Sequence, residues 1–254
     1  MKRCISFLLS VVAAALTVTP CVAAGNGFSV VRNRDHKQPH PDPTYSYVEK
    51  YDCYYVDKKH GDTAEDKVLY LTFDAGYENG NVEKILDVLH EEQVPGAFFV
   101  LSHLVADNTG LVRRMRDEGH LVCNHTARHR DMTKCTDKAA FEKELNALAS
   151  LYKEKIGEEM PKYYRPPEGK LSEQNLQFLS DLGYKTIMWS FAYADWDNDR
   201  QPDPVAAKEK IMTYTHNGAI ILLHPTSATN AAILKDCIKT WKEQGYRFGT
   251  LDEL

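Results

Sequence analysis

A single α/β barrel of about seven mostly parallel strands, preceded by an export leader and an N-terminal extension, is the architecture this sequence predicts. Three observations carry that reading. From Lys67 onward, short apolar runs alternate with amphipathic stretches, the pattern of parallel strands joined by crossover helices. The strand-like runs are almost continuously apolar, as strands covered on both faces must be. At 254 residues, 43 % of them hydrophobic, the chain is long enough for one large core, and one barrel accommodates that length as readily as two small domains.

Taken in order, the chain opens with Met1-Lys2-Arg3, an apolar run from Ile5 to Val18, and the small-residue exit Val22-Ala23-Ala24. This is the layout of a secretory signal peptide, residues 1–24, cleaved near Ala23 or Ala24. The run is broken by Ser and Thr and falls short of the roughly 20 residues a membrane span requires. Export to the cell envelope or medium, with no transmembrane anchor after cleavage, is therefore expected. Residues 25–65 are polar, carry Pro39, Pro41 and Pro43, and hold a Tyr-rich patch from Tyr45 to Tyr55. Without a clear period they read as an extension wrapping the domain.

Residues 66–254 form the expected catalytic domain. Seven strands are drawn at Val68–Phe73, Gly96–Leu101, His120–Cys123, Lys162–Tyr164, Thr186–Ser190, Ala219–Leu223 and Arg247–Leu251. Between the first two, Val82, Ile85, Leu86 and Leu89 recur at helical spacing with Glu83, Lys84 and Glu91 opposite, an amphipathic helix. Similar stretches lie at Thr109–Glu118, Asp137–Lys155, Ser172–Leu182, Pro204–His216 and Thr229–Glu243.

The formal net charge is −5 and no dense Lys/Arg run occurs, which argues against a nucleic-acid surface. After leader removal Cys53, Cys123, Cys135 and Cys237 remain. In an exported chain they permit up to two disulfides in three pairings, with buried thiols as the alternative.

Chemistry-bearing residues collect at strand ends. Asp74 ends the first strand, His125 follows the third, Arg165 ends the fourth, Asp195 follows the fifth and His224 closes the sixth. Carboxyl ends of parallel barrel strands converge on one mouth, so these groups are expected to meet there. His125-Thr126-Ala127-Arg128-His129 puts two imidazoles four residues apart, suited on a helical turn to hold one divalent ion, most readily zinc. The double proline after Arg165 stiffens its loop, and a guanidinium held in one direction can pair with a carboxylate and keep it ionised. Asp195 beside Trp196 offers an acid to hold an imidazole in one tautomer and a flat apolar wall for a small pocket. Each motif alone also has a plain structural reading: a surface His pair, a surface salt bridge, a core decoration and a packed histidine.

Together and in this order, Thr72-Phe73-Asp74, His125-x₃-His129, Arg165-Pro166-Pro167, Asp195-Trp196 and Leu222-Leu223-His224 resemble the polysaccharide deacetylases with a NodB-homology domain, over Lys67 to Leu254. The resemblance implies a distorted (β/α)7 barrel that hydrolyses N-acetyl groups of sugar polymers with one divalent metal. It assigns Asp74 as general base, His125 and His129 as metal ligands, and Arg165 as the partner orienting Asp74. It gives Glu168 a backbone N–H for the oxyanion, Asp195 the tuning of the acid, and His224 the role of general acid. Trp196 and Leu223 would line the acetyl pocket.

Two positions depart from most relatives: Ala75 and Ala192 stand where an acid is usual. The context Phe73-Asp74-Ala75-Gly76-Tyr77-Glu78-Asn79-Gly80 is similar to that of the delta-lactam-biosynthetic, or muramic-acid, de-N-acetylases. The substrate implied is a peptidoglycan glycan strand, deacetylated at N-acetylmuramic acid. An N-acetylglucosamine deacetylase of peptidoglycan or chitin, or a silent glycan-binding barrel, are the alternatives. With no carboxylate at 75 the metal, zinc or else cobalt or manganese, is expected to be weakly held, with Glu78 or Asp131 as candidate further ligands. A monomer is expected.

Overall fold

A computed structural model describes residues 27–254; the expected leader lies outside the described residues. One strand is buried along nearly its whole length, and the rest of the sheet is built out from it. β4 (Lys67–Ala75) is nine residues long and buried at nearly every position, whereas the other strands have two to five residues. The extension supplies β1 (Val30–Val31), β2 (His40–Pro41) and β3 (Cys53–Tyr54). Beyond β4 come α1 (Val82–Glu92), β5 (Ala97–Val100), α2 (Ser102–Asp107), α3 (Thr109–Asp117), β6 (Leu121–Asn124), α4 (Lys138–Ile156) and β7 (Tyr163–Tyr164). The chain ends with α5 (Glu173–Asp181), β8 (Lys185–Ile187), α6 (Pro204–Tyr214), β9 (Ala219–Leu223), α7 (Ala228–Glu243) and β10 (Tyr246–Phe248).

All seven expected strands are present, as β4 to β10, and their pairings are parallel. The sheet runs β4-β5-β6-β7-β8-β3, with β9 and β10 both on β4. It curls toward closure through two isolated bridges, Val56 to Ala219 and Phe191 to Ile221. This is the distorted seven-stranded barrel that the sequence led us to expect, with strands added by the extension.

Two elements differ from the sequence reading. β3 pairs in parallel with β8, so the extension contributes a strand to the sheet. Two residues are too few to show a period, which is why no strand was expected there. The fifth strand stops at Ile187 instead of running to Ser190, and α2 was not expected; six residues make under two helical turns and show no amphipathic repeat.

Alternation along the strands sorts side chains into layers. Leu69, Leu71, Phe73 and Ala75 join the apolar layer shared with α1 and α7. Val68 and Tyr70 join the barrel interior with Phe99, Cys123, Ile187 and Ile220. Thr72 and Asp74 continue that inner row toward the mouth. A third cluster packs Phe28, Val48, Tyr55 and Met188 against Phe141 and Leu176, fastening the extension to α4 and α5. The guanidinium of Arg32 adds to this, lying over Phe191 and Tyr214 and donating to Ala192 O at 3.0 Å.

The four cysteines are free thiols, Cys53, Cys123 and Cys237 buried and Cys135 partly so. Among the described residues no helix is long and apolar enough to cross a membrane.

Candidate active site

Strand register delivers the acid and the imidazole side by side. Phe73 pairs with Leu223, so the next residue on each strand, Asp74 and His224, emerges at the same level of the mouth. On the far side Asn124 pairs with Tyr164, which places His125 and Arg165 together in the same way.

Asp74 is anchored by Arg165. Nη1 lies 2.9 Å from Asp74 Oδ1, and Nη2 donates to Thr72 Oγ1 at 2.8 Å and Met188 O at 3.0 Å. Nε donates to Ile187 O at 2.9 Å, and the Phe99 ring lies 4.2 Å beneath the guanidinium. Arg165 is fully enclosed, so the surface salt-bridge reading does not hold. Burial works against a charge on Asp74, but the Arg165 charge, aided by the histidines and by the Arg165 hydrogen bond, holds its carboxyl below the ordinary carboxylate value.

His224 faces a different acid. Its Nδ1–H donates to Asp195 Oδ1 at 2.7 Å, and its backbone N–H donates to Asp195 Oδ2 at 2.8 Å. Burial would strip the ring of its proton, yet the Asp195 charge and hydrogen bond outweigh it and hold His224 above its ordinary value. Nε2 is left as the proton-bearing atom toward the mouth. Trp196 is half-exposed at 50 %, its ring edge-on to His224 at 6.0 Å.

His125 and His129 come together, but not on a helical turn. Their rings are 4.9 Å apart, carried by an irregular loop in which Thr126 (φ 71°) and His129 (φ 56°) are both left-handed. Side chains impose that path: Asn124 Oδ1 accepts the Thr126 N–H at 2.9 Å, and Thr126 Oγ1 accepts the His129 N–H at 2.9 Å. The His125 Nδ1–H donates to Arg165 O at 2.9 Å, leaving Nε2 as a lone pair 3.6 Å from Asp74 Oδ2. Burial pushes His125 down to about 4 and lowers His129, so both rings are neutral at pH 7. A neutral imidazole whose other nitrogen is held by a carbonyl is the form that ligates metal, and the pair fits a divalent ion.

Among the described residues no third protein ligand completes that pair. Ala75 is fully buried in the apolar layer, and no cluster of three His, Cys, Asp or Glu able to hold a metal occurs among the described residues. Asp131, expected as a candidate, is occupied by Thr133 Oγ1 at 2.6 Å and faces Lys170 at 3.7 Å. Glu78, the other candidate, turns back onto the Gly80 N–H of its own loop.

Glu168 sits in the loop after Arg165 with φ 55°. Its carboxylate points to Lys170 Nζ at 2.7 Å, so what it offers the mouth is its backbone. Leu223 is placed otherwise than expected. At 2 % exposure it packs in the helix-facing layer with Phe73 and Phe191, because residues 219, 221 and 223 share that face. Leu222, register partner of Thr72, is the leucine on the mouth-facing row.

Sequence reasoning missed Asn230. Buried in the first turn of α7, it donates to Asp195 Oδ2 at 2.6 Å and to His224 O at 3.0 Å. The one local signal was the Ser227 cap, whose hydroxyl accepts the Asn230 N–H at 3.1 Å. Nothing in the sequence links that turn to residue 195. Trp189, 5.7 Å from the Arg165 guanidinium, was likewise read only as strand.

The polysaccharide deacetylase family model matches residues 61–187, which hold Asp74, His125, His129 and Arg165. The chain is 40 % identical to the peptidoglycan-N-acetylmuramic acid deacetylase PdaA of Bacillus subtilis, over 99 % of this chain and 93 % of that protein. The solved structure of PdaA, a family 4 carbohydrate esterase, superposes with a TM-score of 0.81 over 90 % of this chain and 94 % of that one, at 39 % identity. The peptidoglycan-N-acetylglucosamine deacetylase PgdA of Listeria monocytogenes is 33 % identical over 74 % of this chain and 39 % of its own length. BA3943 of Bacillus anthracis, a pseudoenzyme of the same family, has a TM-score of 0.70 at 25 % identity, over 80 % of this chain and 68 % of that one. The family is typically metal-dependent. A matched family model and a relative this similar along nearly the whole chain establish that this protein belongs to the polysaccharide deacetylase family, the family 4 carbohydrate esterases.

Proposed function

We propose that this protein is a hydrolase that removes the N-acetyl group from N-acetylmuramic acid in peptidoglycan glycan strands, a step towards muramic delta-lactam, acting outside the cytoplasm once its leader is removed. One observation carries the hydrolase reading. Two titratable groups at one mouth are pushed in opposite directions, Asp74 toward the ionised form and His224 toward the protonated form, as a base and an acid working at the same pH must be. A barrel that only binds glycan needs neither.

In this mechanism Asp74, held ionised and aimed by Arg165, takes the proton from the water attacking the acetyl carbonyl. The Glu168 N–H donates to the carbonyl oxygen as it gains charge, a contact that strengthens toward the transition state. His224 Nε2 gives its proton to the departing sugar nitrogen, which is a poor leaving group without it. The His224 ring stays oriented because Asp195 is itself fixed by Asn230 and by the His224 N–H. A weakly held divalent ion on His125 and His129, zinc or else cobalt or manganese, would supply Lewis acidity to the carbonyl and lower the pKa of bound water toward about 7.

The muramic reading rests on similarity to PdaA along nearly the whole chain and on charge. With Ala75 in place of an acid the strand end beside Asp74 has one negative charge fewer, which favours the lactyl carboxylate that muramic acid carries and glucosamine lacks.

Mass analysis of muropeptides after incubation with the mature protein and added divalent metals tests the proposal. Loss of acetyl from muramic acid, or a lactam, is the expected result. Acetyl loss from glucosamine would transfer the activity to the class of PgdA. No acetate from any cell-wall glycan with zinc, cobalt or manganese would place the chain beside the pseudoenzyme.

A further inference from the structure

The first described residues of the chain lie directly against the loop that presents Glu168. The Phe28 N–H donates to Gly169 O at 2.9 Å. A Cβ on Gly27 would stand 2.3 Å from Glu168 O, a backbone atom, so the two segments would have to move apart. From the other side Trp189 closes on the same loop: a Cβ on Gly169, where φ is +66°, would stand 2.6 Å from its ring. Phe28 is 1 % exposed and meets Trp189 edge-on at 6.1 Å, with Tyr45 and Tyr55 at 5.5 and 6.0 Å. Trp189 in turn flanks the Arg165 guanidinium.

Glu168 is a non-glycine residue with a left-handed backbone, a conformation that persists only where surroundings over-determine it. The geometry points to Gly27 and Phe28 as positioning residues: a strap that locks the Glu168 peptide in its left-handed conformation and so sets transition-state binding by the loop. This rests on the reading of the Glu168 N–H as the oxyanion donor. Neither strap residue has a part in the proposed chemistry, and Phe28 is buried away from the mouth's open face. Its removal therefore alters kcat while leaving KM, and both limbs of the pH profile, where they are.

The test uses the chain from Gly25 to Leu254 with G27A, F28A, F28L and, as a control, V30A. Val30 packs on the same apolar cluster as Phe28. Three quantities are measured: melting temperature, kcat and KM for acetate release from peptidoglycan, and hydrogen exchange of peptides covering residues 165–171. G27A is expected to melt close to the unsubstituted protein, to keep its KM, and to lose about 10- to 100-fold in kcat, the scale set by misplacing a catalytic group. Exchange across 165–171 should quicken, because Gly169 and Lys170 N–H bonds to Pro166 and Pro167 loosen. F28A should do the same with a lower melting temperature, F28L should recover most of the kcat, and V30A should lower melting alone.

Unchanged exchange across 165–171 in G27A overturns the proposal, and so does quickened exchange with kcat intact. Failure of the unsubstituted protein to release acetate sinks the hydrolase reading instead, and the exchange measurement still decides whether the strap holds the loop.

Discussion

Arg165 and Asp74 form an ion pair at 2.9 Å in which the guanidinium is wholly enclosed and the carboxylate nearly so. Four of the five N–H donors of the guanidinium are taken, by Asp74, Thr72, Ile187 and Met188. The pair is thus a structural post of the barrel mouth as well as the setting of the acid.

Arg165→Ala should lower folding stability by about 3 to 5 kcal/mol, the usual consequence of leaving a buried charge unpaired. Arg165→Lys keeps the charge but loses the fork, and should fold with reduced kcat. In the Lys variant Asp74 loses part of its support and its pKa rises. The proposed mechanism needs the ionised form, so activity is expected above the Asp74 pKa and lost as pH falls through it. The acidic limb of kcat/KM should therefore move to higher pH than in the unsubstituted protein; a limb that stays put would contradict the pairing of these roles.

In the proposed mechanism the alkaline limb is set by His224, raised above its ordinary value against the effect of burial by Asp195. Activity requires its proton, so it is present below that raised value and lost as pH rises through it. Asp195→Asn removes the charge and leaves burial, which lowers the His224 pKa. The alkaline limb should shift downward by a unit or more, on the scale of a neighbouring charge, with the deficit at pH 8 exceeding that at pH 6. The pH dependence of kcat/KM for both proteins decides the matter, and parallel profiles would remove His224 from the role of acid.

Ala75 is fully buried in an apolar layer. Ala75→Asp should lower the melting temperature in chelator, because a carboxylate there is desolvated without a partner. It should regain stability on adding zinc or cobalt, and bind metal at least ten-fold tighter, the lower bound set by outer-shell ligand losses. Competition with a chromophoric chelator reads the affinity directly. An affinity equal to that of the unsubstituted chain would show that position 75 does not reach the ion.

Acid sensitivity of the fold follows from His120. Burial pushes its imidazole down to about 4, and its Nδ1 accepts the Gly96 N–H at 3.1 Å, which requires the neutral ring. The unfolded chain takes up a proton near pH 6.5 and the folded chain only near 4. Stability is thus whole above 6.5 and is lost as pH falls between those values, at about 1.4 kcal/mol per pH unit for each such histidine. His120→Asn should flatten that slope in urea unfolding at pH 7 and pH 5.

Sequence alone determined the barrel and the parts of its mouth that lie next to a strand. Asp74, His125, Arg165 and His224 each follow a run whose apolar pattern is local, and a parallel sheet with crossover helices sends such ends to one side. Register was not legible in the same way, and it decides which face each residue takes: Leu223 lies in the helix-facing layer and Leu222, one residue away, on the row that leads to the mouth. Nor were contacts between distant segments legible. Asn230 reaches Asp195 across 35 residues, Cys53–Tyr54 became a strand only because β8 left an edge to pair, and the strap at Gly27–Phe28 meets Glu168 about 140 positions away. Hydrophobic periodicity is a property of neighbours along the chain, while hydrogen bonds and packing between segments exist only once the chain has closed on itself.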